Sequence, residues 1–219
     1  MNIINYPLQP GQWIAQAAEK HFIVWHGTEG RTRYTPYPGR PGRATSSIDG
    51  WNIDGNRIGA PYLIDRDGAV YKTFEDEEWI YHLGLPGTKG LYDRAAVAIE
   101  LANEGPLALD GDRLYAFGLH PPHTVYTGPY FPYEWRERSY FAEPDEAQID
   151  AAIELTLDIC RRHDIDPVFY YPSTVFDFPR CFQVATIVCH SNCRKDKLDL
   201  CLPEWVFQKI EAAGIRLQS

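Results

Sequence analysis

His21-Phe22-Ile23-Val24-Trp25-His26, stopped by Gly27, is the stretch that decides the fold. Its β-branched and aromatic residues specify a buried strand that ends at His26. A second run, Gln183 to His190, closes on Ala185-Thr186-Ile187-Val188-Cys189-His190 and sets another imidazole at a strand end. Ala95 to Leu101 forms a third strand. An imidazole at the C-terminal edge of a sheet strand lies where a rigid scaffold opens onto a cleft.

Outward from these runs, Ala60 to Asp65 and Ala69 to Phe74 pair as a hairpin, with Arg66-Asp67-Gly68 as the turn. Asp145 to His163 is the longest helix, started by Pro144 and patterned by Ile149, Ala152, Ile153, Thr156 and Ile159. Gln12 to Lys20 is expected as a short helix and Pro203 to Ala213 as a closing one. Residues 28 to 59, rich in Gly, Pro, Arg and Ser, are expected as a long surface loop with a single helical turn. Residues 105 to 143 are expected as an irregular aromatic and Pro-rich segment. The order of elements predicts one α/β domain over residues 1–219, with a central mixed β-sheet flanked by helices.

Composition excludes several classes of function. The 219 residues are 44% hydrophobic and 23% charged, enough for a core without help from metal or disulfide. A net charge of -9 argues against a nucleic-acid surface, which needs clustered Lys and Arg. No apolar run approaches a membrane span, and Met1 to Gln12 lacks the pattern of a secretory signal peptide. The five cysteines, Cys160, Cys181, Cys189, Cys193 and Cys201, are expected as buried free thiols, with a Cys193–Cys201 bridge as the alternative.

After His190 the chain continues Ser-Asn-Cys-Arg-Lys-Asp-Lys-Leu-Asp, which puts Asp199 nine positions on and Lys197 two before it. A loop of that length can return Asp199 to His190 and bring Lys197 into the same cavity. His26, His190 and Asp199 would then be two imidazoles and one carboxylate around one Zn2+, with one position open for the water that zinc acidifies. The same charged residues also fit an ordinary solvated loop. Along the strand from Ala95, Ala96, Ala98 and Glu100 share a face, so Glu100 ends a side with room for a ligand. A plain edge carboxylate paired with Arg94 is the competing reading.

These residues carry a resemblance. Ile23-Val24-Trp25-His26-Gly27-Thr28, the hairpin Tyr62 to Tyr71, Tyr81-His82-Leu83-Gly84, Val97-Ala98-Ile99-Glu100-Leu101, and His190 with Lys197 and Asp199 occur in one order over roughly residues 20 to 205. In that order they resemble the zinc-dependent N-acetylmuramoyl-L-alanine amidases of type 2, the superfamily that includes the peptidoglycan recognition proteins. The resemblance implies hydrolysis of the amide between N-acetylmuramic acid and L-alanine in peptidoglycan or muropeptides. It implies His26, His190 and Asp199 as ligands of one zinc ion, with Cys193 or Cys201 as alternative third ligands. It further implies Glu100 as general base, Lys197 as oxyanion stabiliser and His82 as a substrate-contacting residue. The chain departs from the family in having Pro61 where a hairpin His is frequent, and in a longer 105–143 segment.

Two other functions fit the same sequence. One is a peptidoglycan-binding module without catalysis, which would lack the third ligand; the other is a zinc hydrolase of another amide. The aromatic segment, with Pro121, Pro122, Pro129 and Pro132, fits a loop packed on the sheet, a sugar-stacking groove wall, or a patch for an inhibitor or secretion partner. The absence of a signal pattern leaves phage lysis, delivery by a secretion machine and cytoplasmic recycling as routes to substrate.

Overall fold

In the computed structural model, residues 1–36, 42–118 and 124–219 are described. The first half of the chain forms β1 (Ile3–Asn5), β2 (Phe22–Gly27), α1 (Thr45–Asp54), β3 (Tyr62–Ile64), β4 (Val70–Lys72), α2 (Leu91–Ala95) and β5 (Ala96–Leu101). A run of strands follows: β6 (Pro106–Asp110), β7 (Arg113–Ala116), β8 (Thr124–Val125), β9 (Tyr130–Trp135) and β10 (Arg138–Ala142). The last third contributes α3 (Glu146–His163), β11 (Val168–Tyr170), α4 (Cys181–Val184), β12 (Ile187–Cys189), α5 (His190–Cys193), α6 (Glu204–Ala212) and β13 (Arg216–Gln218).

Eight strands make the central sheet, in the order β1-β4-β3-β5-β2-β12-β11-β13. Its pairs are parallel except for the β3–β4 hairpin, so the sheet is mixed. Alternation along the central strands divides the core in two. Ile23, Trp25, Val97, Ile99, Ile187 and Cys189 face one way, onto α3 and α6, with Ile149, Ile159 and Val206 in the same cluster. Val24, Ala96 and Val188 face the other way, against Leu83, Tyr170 and Phe182. Burial on both faces is why these strands are written as continuous apolar runs.

The long helix is fixed to the sheet by polar bonds as well as by its apolar stripe. Trp25 Nε1 donates to Thr156 Oγ1 at 3.0 Å. The buried Gln148 amide donates to the carbonyls of Ile64 (2.9 Å) and Ala102 (3.0 Å), satisfying two strand ends at once. The hairpin turn needs its glycine: Gly68 has φ +85°, and a Cβ there would lie 2.8 Å from the Ala147 carbonyl oxygen.

Four expected elements are corrected. Gln12 to Lys20 is not helical, because Ile14 and Ala18 donate to the carbonyls of Trp79 (2.9 Å) and Glu77 (2.8 Å) and Trp13 stacks on Phe74. Residues 28 to 59 contain a ten-residue helix, α1, held by burial of Ala44 and Ile48 rather than by strong propensity. The run from Gln183 begins inside α4, and its strand starts only at Ile187. The 105–143 segment is not irregular: β8-β7-β6-β10-β9 form a five-stranded antiparallel sheet with its own small cluster of Leu107, Leu114, Ala116, Tyr126 and Ala142. Pro121 and Pro122 lie outside the described residues. Strands β1, β11 and β13 have no counterpart in the expectation. All five cysteines are buried and unpaired. No helix among the described residues is long and apolar enough to cross a membrane.

Candidate active site

Strands β2, β5 and β12 run parallel with Val24 opposite both Ala98 and Val188. Two residues on, His26 stands opposite Glu100, and His190 follows directly after β12. The period of two therefore delivers His26, Glu100 and His190 to one face at the C-terminal edge, where parallel sheets open their clefts. Ala96 and Ala98 leave that face low on the β5 side.

The loop after α5 returns as the spacing requires. Asp199 Oδ2 lies 3.0 Å from His190 Nδ1 and 3.5 Å from His26 Nδ1, and the two Nδ1 atoms are 3.0 Å apart. All three groups are buried. Cys193 and Cys201 stand outside this set; Cys193 Sγ turns back to the Cys189 carbonyl. His190 Nε2 donates to the Leu83 carbonyl at 3.0 Å, which turns the Nδ1 lone pair towards Asp199. Three lone-pair donors this close repel one another unless a cation lies among them. Asp199 Oδ1 is also buried without a partner. Two imidazoles and a carboxylate, oriented by outer bonds, fit a zinc ion.

His82 meets the cluster from behind, with Nδ1 2.9 Å from His26 Nε2. If His26 donates there, its own Nδ1 is left as an acceptor and His82 Nε2 carries a proton. That Nε2 is buried without a partner and lines the same pocket. The pocket, of about 150 Å³, also includes Glu29, Glu100 and Lys197. Glu100 Oε2 is buried and unpartnered. A larger groove of about 590 Å³ adjoins it, shares Glu29, and is lined by Leu198 together with Leu107 and Arg138 of the second sheet.

Burial, reinforced by the Asp199 charge, pushes the Glu100 carboxyl up to about 8, against the opposing pull of Lys197. Burial and repulsion from His190 push His26 down to about 4, and burial likewise depresses His82. For Asp199 burial acts upward, but the charge and hydrogen bond of His190, with His26, outweigh it and hold the carboxyl well below its ordinary range. A neutral imidazole at His26 beside an ionised Asp199 carboxylate is the state that binds metal. A second group of potential ligands, Asp76, Glu77 and His163, is already occupied: Arg162 lies 2.6 Å from Asp76 Oδ2 and His163 3.2 Å.

A profile of the family described as N-acetylmuramoyl-L-alanine amidase matches residues 16–199. The chain belongs to that amidase family. Among solved structures it is similar to a mutant of PlyL, at 12% identity over 97% of this chain and 99% of that one, with a TM-score of 0.55. A mutant endolysin from Bacillus subtilis matches at 14% identity over 97% and 96% of the two chains, TM-score 0.51. AmiD from E. coli, in complex with anhydro-N-acetylmuramic acid-L-Ala-D-gamma-Glu-L-Lys, matches at 17% identity over 92% of this chain and 60% of its own, TM-score 0.50. At such identities the likeness is one of fold. No curated protein sequence matches the chain.

Within this amidase fold, several supporting residues carried no signal in the sequence. Asn192 is fully buried; its amide donates to the carbonyls of Pro172, Ser173 and Val175, and its oxygen accepts from Cys189 N–H at 2.8 Å. Asp93 Oδ1 accepts from the backbone N–H of both His82 and Leu83 at 2.8 Å, fixing the segment that touches both His26 and His190. Gly84 has φ +59°, and the Arg194 guanidinium occupies the place a Cβ would take. The Asn in Ser-Asn-Cys and the Asp in Tyr-Asp-Arg are common loop residues, so only their burial marks them.

Proposed function

We propose that the chain is a peptidoglycan amidase: it hydrolyses the amide joining N-acetylmuramic acid to L-alanine, in cell wall or in muropeptides, with one zinc ion held by His26, His190 and Asp199. The observation that carries this reading is the meeting of three ligand atoms within 4.8 Å of one another, beside the unpartnered Glu100 carboxylate and Lys197 in one pocket, in a chain of this family. Bound zinc would supply Lewis acidity that polarises the scissile carbonyl and lowers the pKa of water.

The chain's own groups do the rest. Glu100, more basic than an ordinary glutamate, takes a proton from the attacking water as the new C–O bond forms. It returns that proton to the L-alanine nitrogen as the C–N bond breaks. Lys197 shares the pocket, and its ammonium faces the negative charge that develops on the carbonyl oxygen. His82 holds His26 through Nδ1 and offers its buried Nε2–H to a substrate oxygen. The groove shared with the second sheet gives the stem peptide or sugar a place to lie.

Asp199 within 3.0 Å of His190 speaks against a binding module that lacks the third ligand. The test is mass spectrometry of muropeptides of defined stem after incubation with zinc-loaded protein. The expected product is a free stem beginning at L-alanine, and a chelator abolishes it. Binding without cleavage would make the chain a recognition module; cleavage at another amide would make it a different zinc hydrolase.

A further inference from the structure

The loop that carries Lys197 and Asp199 is held from outside the central sheet. Strands β9 and β10 are joined by a two-residue turn, Arg136-Glu137, closed by pairing of Trp135 with Arg138. Both turn residues have positive φ, 48° and 62°, a conformation normally left to Gly, Asn or Asp. An arginine kept in such a place directs attention to its side chain.

The Arg136 guanidinium lies over the Trp135 ring, 4.5 Å from its centroid, and reaches across to the site loop. Nη1 donates to the carbonyl of Lys197 and to that of Arg194 at 3.2 Å; Nη2 donates to Ser191 at 3.2 Å. These three carbonyls belong to one stretch, from Ser191, the second residue of α5, to the residue before Leu198. A short helix leaves its last carbonyls without internal partners, and a planar guanidinium can collect several at once. The acceptors are all backbone, so side-chain identity in the loop does not affect the tether.

We propose that Arg136 is a positioning residue for the active site: the tip of the second sheet clamps residues 191–197 and thereby sets where Lys197 and Asp199 stand relative to His26 and His190. The catalytic consequence rests on the amidase reading; the clamp itself does not. A misplaced ligand loop weakens metal binding, and a displaced Lys197 loses its aim at the reacting carbonyl while substrate contacts elsewhere persist.

The test compares Arg136→Ala and Arg136→Lys with the wild type, and uses the turn neighbour Glu137→Ala as control. In Arg136→Ala, kcat on a muropeptide falls by roughly 10- to 100-fold with KM little changed, and zinc affinity, measured by chelator competition, falls by about the same factor. Added guanidinium restores part of kcat to Arg136→Ala, whereas Arg136→Lys remains impaired because one ammonium cannot span three carbonyls. Glu137→Ala behaves as wild type. Hydrogen exchange on zinc-free protein reads the clamp without reference to catalysis: the amides of residues 194–200 exchange faster in both Arg136 variants. Wild-type kcat and unchanged exchange in Arg136→Lys, the variant least disturbing to the fold, overturn the proposal. Failure of the wild type to cleave muropeptides, with the exchange difference present, overturns the amidase reading and leaves the clamp in place.

Discussion

Strands β2, β5 and β12 are buried on both faces, whereas β9 is mostly exposed along its length and β6 ends in exposed residues. The first group packs against the two large clusters. The second sheet packs one side over a cluster of five residues and leaves Leu109, Tyr130 and Tyr133 in solvent. The two sheets meet the site in different ways. The central strands supply His26, Glu100 and His190 as direct continuations of their own alternation. The second sheet reaches the site through a groove wall and one hairpin tip. A side chain at the end of a doubly buried strand is located by the whole core; a loop clamped by one guanidinium is located by a few bonds.

That contrast can be broken by experiment. The largest effect is expected for His190→Ala, which removes one of two imidazoles from a three-ligand set: elemental analysis should fall from about one zinc per chain to almost none, with turnover lost alongside. Zinc retained at the wild-type level would mean that the central edge does not hold the metal.

Next comes Glu100→Gln, which keeps the shape and removes the base. Turnover should drop by about 10²- to 10⁴-fold while zinc content stays unchanged. Near wild-type turnover would take Glu100 out of the chemistry.

Stability gives the third comparison. Ile99→Ala opens a hole in the larger cluster and should cost about 4 kcal/mol, and Leu107→Ala in the second sheet about 2 kcal/mol, within the usual span for such truncations. Chemical denaturation monitored by tryptophan fluorescence measures both. A Leu107 cost equal to that of Ile99 would show the second sheet to be as deeply integrated as the first.

The smallest effect is electrostatic. In zinc-free protein the Glu100 carboxyl, pushed up to about 8, keeps its proton in the native state between pH 6.5 and 8, while the unfolded chain, with its ordinary value of 4.5, does not. The native state then binds more protons, so stability falls as pH rises through that window. His26, depressed to about 4 from 6.5, contributes a slope of opposite sign mainly below it, fading out above pH 6.5 as the unfolded imidazole loses its proton. Thermal melts at pH 6.5 and 8 should show the decline in wild type and a flatter response in Glu100→Gln. Equal slopes would place the Glu100 carboxyl in water.

The difference between the sheets also explains what could be foreseen. Phe22 to Trp25 is apolar throughout because both faces of β2 are covered there, and such a run is legible without knowing its neighbours. The same holds for Val97 to Ile99, and the stripe of α3 is legible from its helical spacing. In β9, Tyr130-Phe131-Pro132-Tyr133-Glu134-Trp135 has no clean alternation, Pro132 interrupts it, and the β9–β10 register shifts between Arg138 and Tyr140. Its partner, β10, follows after a two-residue turn, Arg136-Glu137, that has none of the usual turn residues, so no local pattern announced a hairpin. Gln12 to Lys20 failed for a related reason: its apolar spacing suits a helix turn, but its hydrogen bonds go to residues 77–79.

By itself, the sequence determined the identities that chemistry requires: imidazoles closing two apolar runs, a carboxylate ending a small-residue face, and a Lys-Leu-Asp within loop reach of His190. It determined the central strands as well, since double burial writes itself into consecutive residues. Only the tertiary structure decided that Asp199 stands beside both imidazoles, that His82 braces His26, and that Asn192, Asp93 and Arg136 hold the loops in place. The first two outcomes rest on side chains brought together from far apart in sequence, and the last on backbone carbonyls and amides that no side-chain pattern encodes.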